Sequence, residues 1–182
     1  MASSYGNPSE VILVKPSIVN GGNDIRVTSE TDVKLMDYQC VTSNGNEAVS
    51  DAEKPTNVAH YPGKAVLKWA SSTKAKGRVH LPVHNPPQVV GQMQALKNIA
   101  VSFQATDATI QAVTLYYDTK LITKIDCSKT TTFNAEYTSK ESKEYAYAIG
   151  SGISVMLDLK FDKSDAVIDL YSVTLVYQAT DL

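Results

Sequence analysis

An alternation of residue types between Asn98 and Tyr117 constrains the fold more than any other feature of this sequence. Apolar residues occupy every second position in its first half, which is the period of a half-buried strand: Ile99, Val101, Phe103 and Ala105. Turn-forming residues follow at 106–109. The segment 110–117 then carries apolar groups on both faces, which favours a position inside a sheet. We therefore predict two adjacent strands that form a hairpin, with the rest of the chain packed around it.

Further alternating segments extend this pattern along the chain. Residues 153–161 and 167–177 predict a second hairpin near the end of the sequence. No helical periodicity is sustained over a comparable length. About nine to eleven short strands separated by turns are typical of an antiparallel sandwich or barrel. The sequence therefore predicts an all-β fold, an antiparallel, jelly-roll-like β-sandwich of about nine to eleven strands in two sheets.

The length of 182 residues suits one domain. We expect residues 1–8 to form a loose tail and residues 9–182 to form a single β-sandwich domain. Residues 42–62 are rich in polar and turn-forming types and predict a long loop. A loop of that length is either a plain or disordered connection or a binding element, and both interpretations stay open.

Composition excludes several classes of partner. The net charge of −2 argues against a nucleic-acid binder, which usually carries a basic surplus. The N-terminus lacks a signal-peptide pattern, and no apolar run is long enough to span a membrane. Cys40 and Cys127 form no C-x-x-C motif, so two free thiols are favoured over a disulfide. We expect a cytoplasmic protein without a membrane partner, and leave export by an unconventional route open.

A proline-interrupted run leads into the central strands. It covers residues 79–91, precedes the turn at Asp107 and the strand end Tyr116-Tyr117-Asp118, and is followed later by the segment 149–155. Over residues 63–177 this pattern resembles a family of small, uncharacterised β-sandwich proteins of unknown function. The resemblance implies a jelly-roll-like fold. It implies no catalytic residues.

Two histidines and several charged residues are candidates for catalysis or metal binding. His80 and His84 have the spacing of a helical zinc site, but the prolines around them exclude a helix. On a strand their Cα atoms lie about 13 Å apart, so we predict no metal site. No nucleotide-binding loop or nucleophile motif is present, so we predict no catalytic residue and no cofactor. Arg78 is expected in a solvated turn, and Asp158 is expected in a solvated pair with Lys160.

Aromatic residues favour a binding function. The chain has ten tyrosines and one tryptophan, and such rings stack on sugar faces while their polar tips bond to hydroxyl groups. Several of them lie near the ends of predicted strands. The candidate ligand-binding residues are Trp69, His84, Tyr116, Tyr117 and Asp118.

Three functions follow from these observations. The favoured one is a non-catalytic, lectin-like module that recognises carbohydrate or another small polar ligand. Whether the protein forms a homo-oligomer is left open. The first alternative is a structural protein that self-assembles through exposed strand edges. The second alternative is an enzyme without a familiar motif, in which His80 or His84 acts as general base.

Overall fold

The computed structural model describes residues 11–15, 24–28, 38–70, 75–87, 92–137 and 152–181. The chain divides into two compact units, Met1–Tyr38 and Gln39–Leu182. In the first unit, strands β1 (Val11–Lys15) and β2 (Asp24–Thr28) form an antiparallel pair. The expected tail at residues 1–8 lies outside the described residues. The single domain over 9–182 stays a prediction.

Eleven further strands form two antiparallel sheets. They are β3 (Tyr38–Asn44), β4 (Val49–Ser50), β5 (Thr56–Tyr61), β6 (Lys64–Trp69), β7 (Lys76–Val83), β8 (Gln92–Thr106), β9 (Ala108–Tyr117), β10 (Lys120–Lys129), β11 (Thr131–Glu136), β12 (Ile153–Phe161) and β13 (Val167–Asp181). The five-stranded sheet has the order β10-β9-β12-β7-β4. The six-stranded sheet has the order β11-β8-β13-β6-β5, and β3 also pairs with β13. The predicted all-β sandwich is confirmed, and so is the interior position of β9.

The core lies between the two sheets. Alternate residues of the strands turn inward and are fully buried, as a pleated strand requires, and the largest of them are Tyr177, Phe103 and Phe161. The two cysteines are free thiols, Cys40 exposed and Cys127 half-buried. No helix within the described residues is long and apolar enough to cross a membrane. The cytoplasmic location stays a prediction.

The two predicted hairpins are wrong in their pairing. Strands β8 and β9 follow each other but lie in different sheets, and the same holds for β12 and β13. Asp107 joins β8 to β9 with a positive φ of 53°, which turns the chain across the sandwich. Lys163, between β12 and β13, forms an ion pair of 2.9 Å with the Asp107 carboxylate. Both connections are therefore corners of the sandwich.

The long loop predicted at 42–62 is also wrong. A 3₁₀ turn at Gly45–Glu47 follows the end of β3, and the short strand β4 and the full strand β5 come after it. Within the remaining bend, the Asp51 carboxylate accepts hydrogen bonds from the backbone N–H groups of Glu53 and Lys54, each at 2.9 Å. Turn-forming residues here stabilise short, ordered elements. Because such residues are also typical of loops, composition alone did not indicate the strands.

Candidate functional site

The predicted ligand-binding residues fall at two different ends of the sandwich. Tyr116, Tyr117 and Asp118 end β9, and His84 follows β7; both strands flank β12, where Ile153 lies opposite Val83 and Tyr117. These four residues therefore share one end of the five-stranded sheet. A single site that includes all the predicted residues would also need Trp69 at this end.

Trp69 lies at the opposite end and in the other sheet. It ends β6, where Lys68 lies opposite Val167, and Val167 in turn lies opposite Thr106 at the end of β8. The length of β9, which begins there, separates the two ends by about 30 Å. The Trp69 ring is half-buried against the core. The structure thus does not bring the five predicted residues together.

Tyr117 is a core residue and not an exposed ring at the end of its strand. Its side chain is buried, and its hydroxyl lies 3.0 Å from that of Tyr177, which is fully buried. Burial raises the pKa of Tyr117 to about 12 and also raises the pKa of Tyr177. The pair is a hydrogen bond inside the sandwich, where each hydroxyl satisfies the other.

We expect the substitutions Tyr117→Phe and Tyr177→Phe to show that this pair is structural. Each single substitution leaves one buried hydroxyl without a partner and should lower the free energy of unfolding by about 1–3 kcal/mol. The double substitution removes both hydroxyls and should cost less than the sum of the single ones. Urea denaturation of the four proteins measures this cycle, and additive losses would contradict the account.

Of the other predicted residues, Asp118 and His84 are exposed and Tyr116 is half-buried. Asp118 sits in the β9–β10 turn with a positive φ of 52°. Its carboxylate accepts the backbone N–H of Gly152 at 2.7 Å, and its own N–H donates to the Gly152 carbonyl at 2.7 Å. Asp118 therefore joins the end of β9 to the start of β12. Its part in ligand binding stays a prediction.

A different group of residues forms the most accessible aromatic site in the described part of the chain. Tyr61, Lys64, Asp169 and Tyr171, here called the tyrosine patch, lie on the outer face of the six-stranded sheet, because the residues that alternate with them point into the core. Tyr61 is 51% and Tyr171 is 36% exposed. Tyr61 lies opposite Lys64 across β5 and β6. The Lys64 ammonium group lies 2.8 Å from the Asp169 carboxylate.

Local sequence explains how both rings reach this face. Pro62 and Gly63 connect β5 to β6, and Gly63 has a φ of 79°, as expected of the third residue of a type II turn. This tight turn sets Tyr61 beside Lys64. Tyr171 lies at a register shift between Leu170 and Ser172, where β13 carries one residue more than β8. Such a bulge re-aims side chains, and here it turns Tyr171 outward.

The patch keeps unused hydrogen-bonding capacity. The hydrogen bond to Asp169 raises the pKa of Lys64, so the ammonium stays charged at neutral pH. Only one of its three N–H donors is needed for Asp169. The second carboxylate oxygen of Asp169 accepts no hydrogen bond from the described residues. Two exposed rings thus flank a donor and an acceptor that remain open to a ligand.

Sequence reasoning missed this patch for two reasons. Tyr61 was placed at the end of a presumed loop, although the Tyr-Pro-Gly-Lys sequence at 61–64 is a turn signal that indicates a hairpin. Strict alternation along 167–177 would place Tyr171 on the same face as Val173 and Tyr177, which are buried in the core. A strict period of two cannot reveal the bulge that separates them.

A second group of polar side chains lies on the five-stranded sheet. Asp51, Lys54, Arg78, His80 and Asp158, here called the Arg78 network, are held together by short contacts. Arg78 Nε and Lys54 Nζ donate to the same oxygen of Asp158 at 2.9 and 3.2 Å. His80 Nε2 lies 2.6 Å from Asp51. The expectation of a solvated turn at Arg78 and a solvated pair at Asp158 is therefore wrong, since these partners are distant in sequence.

The electrostatics of the network favour its charged form. Burial by itself raises the pKa of Asp158, but the hydrogen bonds from Arg78 and Lys54 outweigh it and hold that pKa below its usual range. Burial likewise raises the pKa of Asp51, and the bonds from His80, Lys54 and Glu53 bring it down. Both carboxyl groups are thus ionised at neutral pH.

These lowered values predict a loss of stability in acid. The unfolded chain binds protons near pH 3.8, the ordinary value, whereas the folded chain binds them only at lower pH. The stabilisation is fully present above pH 3.8, decreases as the pH falls below that value, and is lost once the pH falls through the lower pKa of the folded state. We expect Asp158→Asn to lower the free energy of unfolding by about 2 kcal/mol at pH 7. In acid, the stability of this variant should depend less on pH than that of the wild type.

Thermal or urea unfolding between pH 7 and 3 measures this effect. Asp126→Asn is the matched control, because the Asp126 side chain is 80% exposed in its pair with Lys124. It should change the free energy of unfolding by less than about 0.5 kcal/mol. Equal effects of the two substitutions would contradict the role of the network.

The network also bears on the enzyme and metal hypotheses. The Asp51 carboxylate orients the His80 imidazole, which is an arrangement that a general base uses. The cross-strand neighbours of His80 are Val49 and Met156, and neither supplies a nucleophile. Across the described residues, no group of three or more histidine, cysteine or acidic side chains is placed to hold a metal ion.

Comparison with known proteins adds only distant likeness. No protein-family model and no curated protein matches the chain. A low-affinity xylan-binding module from Roseburia intestinalis is 14% identical, covers 75% of this chain and 93% of its own, and has a TM-score of 0.41. The exo-β-1,3-galactanase from Phanerochaete chrysosporium is 11% identical over 87% of this chain and 35% of its own, with a TM-score of 0.39.

This chain therefore spans about a third of the galactanase chain. Xylan and galactose concern those two proteins. Structural similarities with TM-scores of 0.41 and 0.39 are too weak to indicate the ligand of this chain. The assignment of the sandwich rests on the pairing of its own strands.

Proposed function

We propose that this chain is a non-catalytic carbohydrate-binding module and that the tyrosine patch is its binding site. The observation that carries the proposal is the exposure of Tyr61 and Tyr171 on the two strands that flank Lys64, whose ammonium group pairs with Asp169. A sugar ring has apolar faces and a rim of hydroxyl groups. The tyrosine rings suit the faces, and the ion pair supplies a donor and an acceptor for the rim.

The charge of the patch favours a neutral sugar. The lysine and the carboxylate compensate each other, so neither an acidic nor a basic ligand gains from a net field. The two rings lie on β5 and β13 with β6 between them, which separates them by about 10 Å. This spacing places them under different parts of an oligosaccharide, so we expect polymers to bind more tightly than monosaccharides.

Affinity electrophoresis tests the proposal. The protein is run through native gels that contain arabinoxylan, β-1,3-galactan, soluble starch or hydroxyethyl cellulose, with bovine serum albumin as reference. We expect retardation in at least one gel. If the patch is the site, alanine at His84, Tyr116 or Asp118 should leave the retardation unchanged. A loss of retardation in these variants would instead place the site at the residues predicted from the sequence.

Self-assembly through strand edges stays a prediction. Strand β10 is one of the two end strands in the order of the five-stranded sheet, and β5 is one of the two in the order of the six-stranded sheet. Leu121 on β10 is 53% exposed. Light scattering across a concentration series distinguishes this function from glycan binding by a monomer.

A further inference from the structure

The Arg78 network lies on the opposite side of the sandwich from the tyrosine patch. Val79 and Leu81 are fully buried in the core, so Arg78 and His80, which alternate with them, point outward from the five-stranded sheet. The two sheets turn their inner faces to one core, and their outer faces therefore point in opposite directions. A ligand on one face leaves the other face free.

The network contains a gap between a donor and an acceptor. Arg78 is anchored through Nε, and its NH1 atom lies 4.0 Å from the Asp51 carboxylate, which is too far for a hydrogen bond. The terminal N–H groups of Arg78 thus have no hydrogen-bond acceptor among the described residues. A hydroxyl group in this gap would accept from Arg78 and donate to Asp51.

Thr114 is an independent sign of a ligand on the same face. It lies directly across from Met156, which in turn lies across from His80, so the three residues form one row over the sheet. Thr114 is 2% exposed, and its hydroxyl has no hydrogen-bond partner. A buried hydroxyl without a partner is destabilising, and valine would fill the same space without that loss. A hydroxyl-bearing ligand would give it a partner once the flexible Met156 side chain moves aside.

The charges of the network specify the class of ligand. Arg78 and Lys54 compensate Asp51 and Asp158, and Glu53 adds a negative charge nearby. An anionic ligand would meet carboxylates beside every donor. Neighbouring hydroxyl groups, which donate and accept at once, match the alternation of donors and acceptors.

We propose that the Arg78 network and Thr114 form a second binding face for the vicinal hydroxyl groups of a neutral carbohydrate. One copy of the chain then bridges two glycan chains, one on each outer face. This inference rests on the proposed function for its ligand class, but it concerns different residues in the other sheet.

Four proteins test the second face in the same polysaccharide gels. They are the wild type, Tyr61→Ala/Tyr171→Ala, Thr114→Val/Arg78→Lys, and the combination of all four substitutions. Valine keeps the shape of Thr114, and lysine at position 78 keeps a positive donor for Asp158 while it removes the terminal N–H groups that face the gap. Thermal denaturation of each protein confirms that it is folded, and Thr114→Val alone should melt no lower than the wild type.

We expect the tyrosine variant to be retarded at least about threefold less than the wild type, because only the second face still binds. The combined variant should not be retarded. If the tyrosine variant alone loses all retardation, the second face is overturned and the proposed function stands. If only Thr114→Val/Arg78→Lys abolishes retardation, the tyrosine patch is overturned and the second face stands. A wild type that is retarded in no gel overturns both.

Discussion

Replacing Tyr61 and Tyr171 with alanine is expected to weaken carbohydrate binding more than any other pair of surface substitutions. The two rings supply the exposed apolar area of the patch, and the ion pair between them cannot replace it. We expect about a tenfold loss of affinity for each single substitution and about a hundredfold loss for the pair. Isothermal titration calorimetry with the polysaccharide that retards the wild type measures both.

The control for this experiment is Leu121→Ala. Leu121 is exposed to a similar extent but lies on β10 in the other sheet, outside both proposed sites. It should bind as the wild type does. The patch would be wrong as the principal site if the tyrosine pair kept wild-type affinity, or if Leu121→Ala weakened binding equally.

Gly45→Ala is expected to cause the largest loss of stability of any single small substitution. A Cβ atom at this position would overlap the backbone oxygen of Leu170, and backbone cannot move aside as a side chain can. Gly45 opens the 3₁₀ turn after β3 and packs where β13 meets β6 at Ala65. We expect a loss of about 3 kcal/mol in the free energy of unfolding, measured by urea denaturation.

Gly63→Ala is the matched comparison. Gly63 has a φ of 79°, but a Cβ atom there would meet nothing within 4 Å, so only the backbone conformation opposes the substitution. That strain costs about 1–2 kcal/mol. A loss at Gly45 no larger than that at Gly63 would contradict the close packing of the turn against Leu170.

The sequence predicted the strands better than their partners. Alternation located β8, β9, β12 and most of β13, because side chains on a pleated strand must alternate between core and solvent. It could not show that β8 and β9 lie in different sheets, because a short connection serves a hairpin and a sandwich corner equally well. The pairing partners decide between them: β8 pairs with β11 and β13, and β9 pairs with β10 and β12, and no local sequence pattern indicates these partners.

The candidate site was harder to predict than the fold. Composition indicates that aromatic residues form the site. Which aromatic residues do so depends on their burial and on the register of their strands. Tyr117 is buried because it lies on the core-facing side of β9, and Tyr171 is exposed because of one extra residue in β13. The Arg78–Asp158 pair joins residues on neighbouring strands that are far apart in the chain.

The retardation of the wild-type protein in gels of neutral polysaccharide tests the central claim most directly. Carbohydrate binding through exposed tyrosines predicts that migration slows in at least one gel and that free polysaccharide in the sample reverses the shift. Migration equal to that of serum albumin in all four gels would contradict the assignment of this sandwich as a carbohydrate-binding module.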